Sequence, residues 1–404
     1  MRKSWLALLG ILAWTAAPAQ IGPQQEKELF SRVDGMLRAV SEITGFPIAR
    51  PVPRAVITRE KIREYIEQRI AEAIPPGELR AQEILLKKLG FVPADFDLKS
   101  QMVDLLSEQA AAFYDFKQKK LFLAAWTPSA MHDVALVHEL AHAAADQQFN
   151  LQKFILKSGE DDAATARGAV VEGQASWVMT EYLARQMGRS LKDSPELARG
   201  AAPSAAEAAK IYPVFGASPL YIQETLLFPY TKGIEFQQAV FEKLGRQAFA
   251  EVFRRPPASS QQVMRPKLYF EGAAPARLAL PSQRLPAGYK KILEGTLGEL
   301  DFQIMLRQYV GEEEAQRLSP RWRGSRYALW ENARQKRVLL GYSVEWQEAA
   351  DAAQFLGYYK KICAKKWKQM RVEKDEPAEA FGTGDDGRFV WRLAGKVFTS
   401  LEGL

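Results

Sequence analysis

Between Leu136 and His142 the chain reads Leu-Val-His-Glu-Leu-Ala-His, and no other segment restricts the fold so tightly. The segment falls where a helix is predicted. Thr127-Pro128 supplies a capping Thr and a Pro at the first helical position, and the helix is expected to continue to about Gln148. On a helix, residues four apart point the same way one turn apart, so His138 and His142 share a face. That spacing lets both ring nitrogens reach one Zn2+ at about 2.0–2.1 Å. Glu139 is rotated from His138 by about 100°. Its carboxylate can therefore stand beside the ion's open position and act as general base on water, whose pKa the ion lowers to about 7. The chain has three histidines, and two of them lie in this motif. The third, His132, falls off the shared face and reads as a satisfied or exposed side chain.

A catalytic zinc site needs a third protein ligand and one position left for solvent. With no further His downstream, the third ligand must be a carboxylate. Asp161, Asp162 and Glu172 are the candidates. The first two lie in a polar stretch, Gly159-Glu160-Asp161-Asp162, that reads as a loop. Glu172 lies within a mostly apolar helix expected from Ala163 to about Met187. A buried acid needs a partner to offset its desolvation, and a metal ion is such a partner, so Glu172 is favoured. Gly173 and Ala175 would let this helix approach the motif helix closely. Ligand imidazoles are usually held by a further hydrogen bond, for which Asp146 and, more weakly, Ser176 are candidates.

The remaining sequence predicts an α+β chain, mostly helical. Apolar spacing gives a helix over 26–41, a short strand at 55–57, and helices after Thr58 and over 78–89. A hairpin is expected from Ala111-Ala112-Phe113-Tyr114 and Lys120–Ala125 around a polar turn. Pro203, Pro213, Pro219 and Pro229 punctuate a looser helical region. The expected organisation is a leader at 1–19, an N-terminal part at 20–108, a metal-binding core at 109–256, a linker or surface crossing at 257–294, and a C-terminal α+β domain at 295–404. In the last of these, helices are predicted at 299–309 and 349–367, and strands at 327–330, 338–346, 388–393 and 396–401.

Arg2-Lys3, the apolar run from Trp5 to Trp14 and Ala17-Pro18-Ala19 form a signal-peptide pattern that predicts an exported, periplasmic or extracellular protein. The run is too short to span a bilayer as a helix, and no later segment is apolar for long enough. The net charge of +7 falls to +5 without Arg2 and Lys3. Basic and acidic residues are interspersed, so no nucleic-acid partner is expected. The single cysteine, Cys363, rules out a disulfide within the chain and reads as buried and inert.

His138-Glu139-Leu140-Ala141-His142-Ala143-Ala144-Ala145-Asp146-Gln147-Gln148-Phe149, followed by Val171-Glu172-Gly173-Gln174-Ala175, resembles the gluzincin, peptidase-MA-like superfamily. More narrowly it is similar to a group of uncharacterised exported bacterial proteins that show H-E-L-x-H-A-x-x-D-Q-x-F and then V-E-G-x-A. Suggestive likeness continues through Phe113-Tyr114-Asp115, Phe228-Pro229-Tyr230-Thr231-Lys232-Gly233, Ser260-Gln261-Gln262-Val263 and Trp322-Arg323-Gly324-Ser325-Arg326-Tyr327. Gln148 stands where a metzincin would carry a third His. Within the narrower group a His is expected near Arg265 and an Asp at Ser325, so any role of those side chains is not carried over. The resemblance implies a zincin-like catalytic domain. Its small mixed sheet would pair an edge strand, here Lys120–Ala125, with an extended substrate.

Together these features predict an exported zinc metallopeptidase holding one Zn2+ on His138, His142 and Glu172, with Glu139 as base. Tyr230 is the candidate donor to the developing oxyanion, from a proline-bounded turn, and Tyr212, Tyr221 and Arg265 are its competitors. The alternative is a catalytically silent zincin-like binding or assembly module of the cell envelope. Its partner would meet Trp322, Tyr327 and Trp330, although core packing is the favoured reading of those aromatics.

Overall fold

The computed structural model describes residues 21–201, 204–282 and 285–404, so the expected leader lies outside the described residues. Helices form most of the N-terminal part. A stripe of Leu29, Val33, Met36, Leu37 and Val40 winds as α1 (Pro23–Thr44), which Gly45 ends at φ +79°. β1 (Arg54–Ile57), α2 (Arg59–Ala73) and α3 (Pro76–Leu89) follow the apolar spacing that predicts them. α4 (Leu98–Gln109) has no counterpart in the sequence analysis, although Asp97 marks its start by accepting the Ser100 amide at 2.8 Å.

The predicted hairpin forms as β2 (Ala112–Asp115) and β3 (Lys120–Ala124). Its place in the sheet differs from expectation. The order is β1-β3-β2, with β1 parallel and β2 antiparallel to β3. Lys120–Ala124 is therefore the interior strand. The edge over the next helix is β2, because the crossover from β1 through α2–α4 leaves β1 free to pair with the far side of the returning strand. The helix start at Thr127-Pro128 is also displaced. The Thr127 hydroxyl donates to the Ala111 carbonyl at 2.6 Å, and α5 (His132–Phe149) begins only after one tight turn.

Asn150, at φ +50°, closes α5 and opens α6 (Leu151–Leu156). α7 (Asp161–Gln186) runs for 26 residues. Three short helices, α8 (Glu196–Arg199), α9 (Ala205–Ile211) and α10 (Pro213–Ala217), lead to α11 (Leu220–Leu244). Pro229 lies inside α11, so half of the proline-punctuated region is one continuous helix. α12 (Ala248–Arg254), α13 (Ser260–Met264) and α14 (Pro266–Phe270) complete this part. Ser260, Gln261, Gln262 and Val263 are buried, so this start of the span expected as a linker or surface crossing packs into the protein.

β4 (Lys290–Gly295), α15 (Glu299–Tyr309), α16 (Glu312–Leu318), β5 (Trp322–Asn332), β6 (Arg337–Trp346), α17 (Ala349–Lys366), β7 (Arg371–Asp375), β8 (Glu379–Gly384), β9 (Gly387–Ala394) and β10 (Val397–Glu402) form the C-terminal region. The sheet is antiparallel in the order β4-β5-β6-β10-β9-β8-β7. α17 packs on it through Phe355 and Tyr359 against Trp346, Trp391 and Phe398. Trp322 and Tyr327 are buried and Trp330 is half-buried, which makes them core residues of the sheet. Cys363 is buried in α17, and burial pushes its thiol pKa upward. No helix among the described residues is long and apolar enough to cross a membrane.

One close approach positions the functional helices. A Cβ at Gly173 of α7 would lie 2.2 Å from the Gly233 carbonyl carbon of α11, and one at Gly233 would lie 2.4 Å from the Ala169 oxygen. Gly173 therefore serves the approach to α11, whereas the sequence analysis assigned it to the motif helix. Successive helical residues differ by about 100° in direction, so Glu172 can face α5 while its neighbour faces α11. Replacing Gly173 with Ala should destabilise the protein by more than about 2 kcal/mol, because rigid backbone must move. By contrast Gly357→Ala, on an exposed turn of α17 with open space around it, should stabilise by about 0.4–1 kcal/mol. Urea unfolding of the two variants checks both signs.

Candidate metal centre

Every residue of α5 from Ala135 to Asp146 is buried, so its polar side chains must find partners inside the protein. His138 and His142 lie one turn apart and meet edge to face, with ring centroids 4.8 Å apart and planes at 84°. α7 crosses α5 so that Oε2 of Glu172 lies 3.2 Å from Nε2 of His138 and 3.2 Å from Nε2 of His142. One ligating atom from each residue lies within 4.8 Å of the others. Ligands at about 2.0–2.1 Å from one tetrahedral ion stand about 3.3–3.4 Å apart. The two N···O distances come close to that separation and are long for a charged hydrogen bond. The donor set of two imidazoles and a carboxylate therefore fits a divalent cation.

The electrostatics point the same way. Burial alone would raise the Glu172 pKa, but the charge of His142 and hydrogen bonds from both imidazoles outweigh it and hold the carboxyl well below the usual range. Burial lowers His138. Burial opposes protonation of His142 too, but Glu172, then Glu139 and Asp146, raise its pKa overall. Glu139 is pushed up to about 8, chiefly by burial, with the nearby Glu172 adding to the rise. Its Oε2 accepts the main-chain N–H of Tyr114 in β2 at 2.7 Å. Without an ion the centre thus favours the protonated forms of His142 and Glu139.

The structure separates the other carboxylate candidates from the triad. Asp161 and Asp162 open α7, about 15 Å along the helix from Glu172 at 1.5 Å per residue. Asp161 accepts the Tyr327 hydroxyl, and Asp162 accepts the Ser260 amide at 3.1 Å, so both tie α7 to the C-terminal half of the chain. Asp146 does not reach His142 by any hydrogen bond described. It accepts the Tyr114 hydroxyl, the Lys119 ammonium and the Leu151 amide. Nδ1 of His138 is buried without a hydrogen-bond partner, so the expected orienting contact is absent there. Ser176 is buried, and its carbonyl accepts the Thr180 hydroxyl. Nε2 of His132 donates to the Thr127 carbonyl over 2.7 Å, away from the triad.

Among the tyrosine and arginine candidates, Tyr230 is the one brought to the triad. Its ring lies against His138 with centroids 6.3 Å apart. It sits within α11, one turn before Gly233, where the sequence analysis expected a proline-bounded turn. Tyr221 donates to Asp301 at 2.7 Å, and Arg265 pairs with Glu299 at 2.8 Å. Tyr212 is buried with its hydroxyl unpaired and Glu108 nearby. Sequence reasoning missed Tyr114 and Phe116, whose ring meets His142 edge-on at 6.0 Å. The motif Phe113-Tyr114-Asp115 flagged the strand, but only the sheet order shows that it is the strand over α5. Tyr114 and Phe116 also line an adjoining cavity of about 210 Å3, walled by Ile66, Ile70, Leu106 and Phe113.

A family model described as a domain of unknown function (DUF8575) matches residues 284–402. No curated protein and no solved structure matches the chain.

A ligand imidazole must be neutral to bind metal, and the pKa of His142 is raised, so zinc affinity should rise with pH from 6 to 8. Glu172→Gln and His142→Ala should abolish stoichiometric zinc, while Asp161→Asn should leave it intact. Elemental analysis and zinc titration at several pH values check these outcomes. A pH-independent affinity, or zinc lost only with Asp161, contradicts the assignment.

Proposed function

We propose that this chain is an exported zinc-dependent peptidase of the gluzincin type, with His138, His142 and Glu172 as metal ligands and Glu139 as general base. The observation that carries the proposal is Glu172 Oε2 standing 3.2 Å from both imidazole nitrogens, with Glu139 beside them on the same helix. Export rests on the leader pattern Arg2-Lys3 to Ala17-Pro18-Ala19. Domain limits at about 109–256 for the metal-binding core and 295–404 for the C-terminal unit belong to the same reading. The match over 284–402 supports the latter.

A divalent ion on this donor set supplies Lewis acidity, polarising a carbonyl and acidifying water. The residues of the chain do the rest. Glu139 takes the proton from the attacking water and returns it to the leaving amine. The Tyr114 N–H fixes one carboxylate oxygen of Glu139, which leaves the other for that proton. The Tyr230 phenol, held beside His138, donates to the developing oxyanion. An extended peptide would run alongside β2, whose outward Tyr114 N–H is already given to Glu139. The apolar cavity bordering β2 suits a large apolar side chain of such a peptide.

Zinc-loaded protein should cleave a peptide library, and a chelator or Glu139→Gln should each abolish cleavage while Glu139→Gln retains zinc. Tyr230→Phe should lower kcat by about 10²–10³ with the metal in place. Equal activity of the parent, the chelated protein and Glu139→Gln would overturn the reading. Stoichiometric zinc with no hydrolysis of any peptide would instead favour a silent binding module.

A further inference from the structure

The turn between β2 and β3 reaches the centre through an unbroken set of contacts. Lys119, the last residue of that turn, adopts φ +55°, a left-handed conformation costly for a residue with a Cβ. That conformation aims the Lys119 ammonium at Asp146 in α5, with Nζ 2.7 and 2.9 Å from the two carboxylate oxygens. The neighbouring Lys117 points the other way, to Glu72. The Asp146 side chain is fully buried, whereas Lys119 is 30% exposed. A buried carboxylate requires a countercharge and full hydrogen bonding, and Lys119 supplies the charge. The Leu151 amide at 2.9 Å and the Tyr114 hydroxyl at 3.0 Å use the remaining lone pairs. Tyr114 is thereby gripped at its ring, and its main-chain N–H lies 2.7 Å from Glu139.

We propose that Lys119 and Asp146 are positioning residues that act through Tyr114 to fix the carboxylate of Glu139, a role that rests on the peptidase reading above. Neither touches His138, His142 or Glu172 by any contact described, so they set the base without holding the metal. A rigid base is required because catalytic groups must sit within a few tenths of an ångström of their productive geometry.

The test uses full-length zinc-loaded protein carrying Lys119→Gly, Lys119→Arg or Tyr114→Phe. Glycine suits φ +55° better than lysine, so a role confined to the turn's backbone predicts that Lys119→Gly is harmless or stabilising, whereas loss of the countercharge to Asp146 lowers stability. The positioning role predicts the opposite for function. Zinc content stays at the parent level, kcat falls on the order of ten- to a hundred-fold, KM changes little, and Lys119→Arg restores most of the loss. Hydrogen exchange of the Tyr114 amide, read without any substrate, should be faster in Lys119→Gly and in Tyr114→Phe than in the parent. Unchanged exchange in both variants overturns the positioning role. Faster exchange in the two variants, with a parent protein that cleaves nothing, overturns the peptidase reading and leaves the contact chain standing. Should Lys119→Gly fail to fold, Tyr114→Phe carries the same two readouts.

Discussion

The structure is organised around one buried carboxylate. Glu172 is 1% exposed and lies between two imidazoles that are equally enclosed. An isolated charge at that depth would cost several kcal/mol, so the helices carrying the three side chains cannot drift independently. α5 presents the histidines, α7 presents the acid, and α11 is locked to α7 where two glycines meet backbone to backbone. The same lock sets how far Tyr230, one turn from Gly233, stands from His138. A packing contact with no polar atoms in its side chains thus fixes the spacing of a polar centre.

The second support comes from the small sheet. β2 lies over α5 and contributes a main-chain N–H to Glu139 and a phenol to Asp146. The carboxyl of Glu139, raised to about 8 by burial in the metal-free chain, is the kind of perturbed group that enclosed reactive centres favour. A dication beside it would stabilise the charged form and return it to use as a base. The C-terminal sheet stands apart from this chemistry. The C-terminal region meets the helical part through Tyr327 of the sheet with Asp161, and through Asp301 of α15 with Tyr221.

The sequence made the cluster of His138, His142 and Glu172 legible because a single local period, i to i+4, places two imidazoles on one face, and because an acid in an apolar helix needs a reason to be there. The fold class was legible for the same kind of reason: helix and strand periods separate cleanly in segments such as 299–309 and 338–346. What failed depends on non-local geometry. Strand order cannot be read from a hairpin, so Lys120–Ala125 passed for an edge until β1 was seen on its far side. Pro229 signals a break by local rules, yet it lies inside α11. Asp146 sits one turn from His142 and looked like its partner. Its actual partners, Tyr114 and Lys119, come from a strand and turn distant in sequence.

Anomalous diffraction at the zinc absorption edge, on crystals of the zinc-loaded chain, tests the account most directly. It predicts one peak bounded by Nε2 of His138, Nε2 of His142 and the carboxylate of Glu172, with a solvent position open towards Glu139. A peak coordinated by other side chains, or none at this site at saturating zinc, would contradict it.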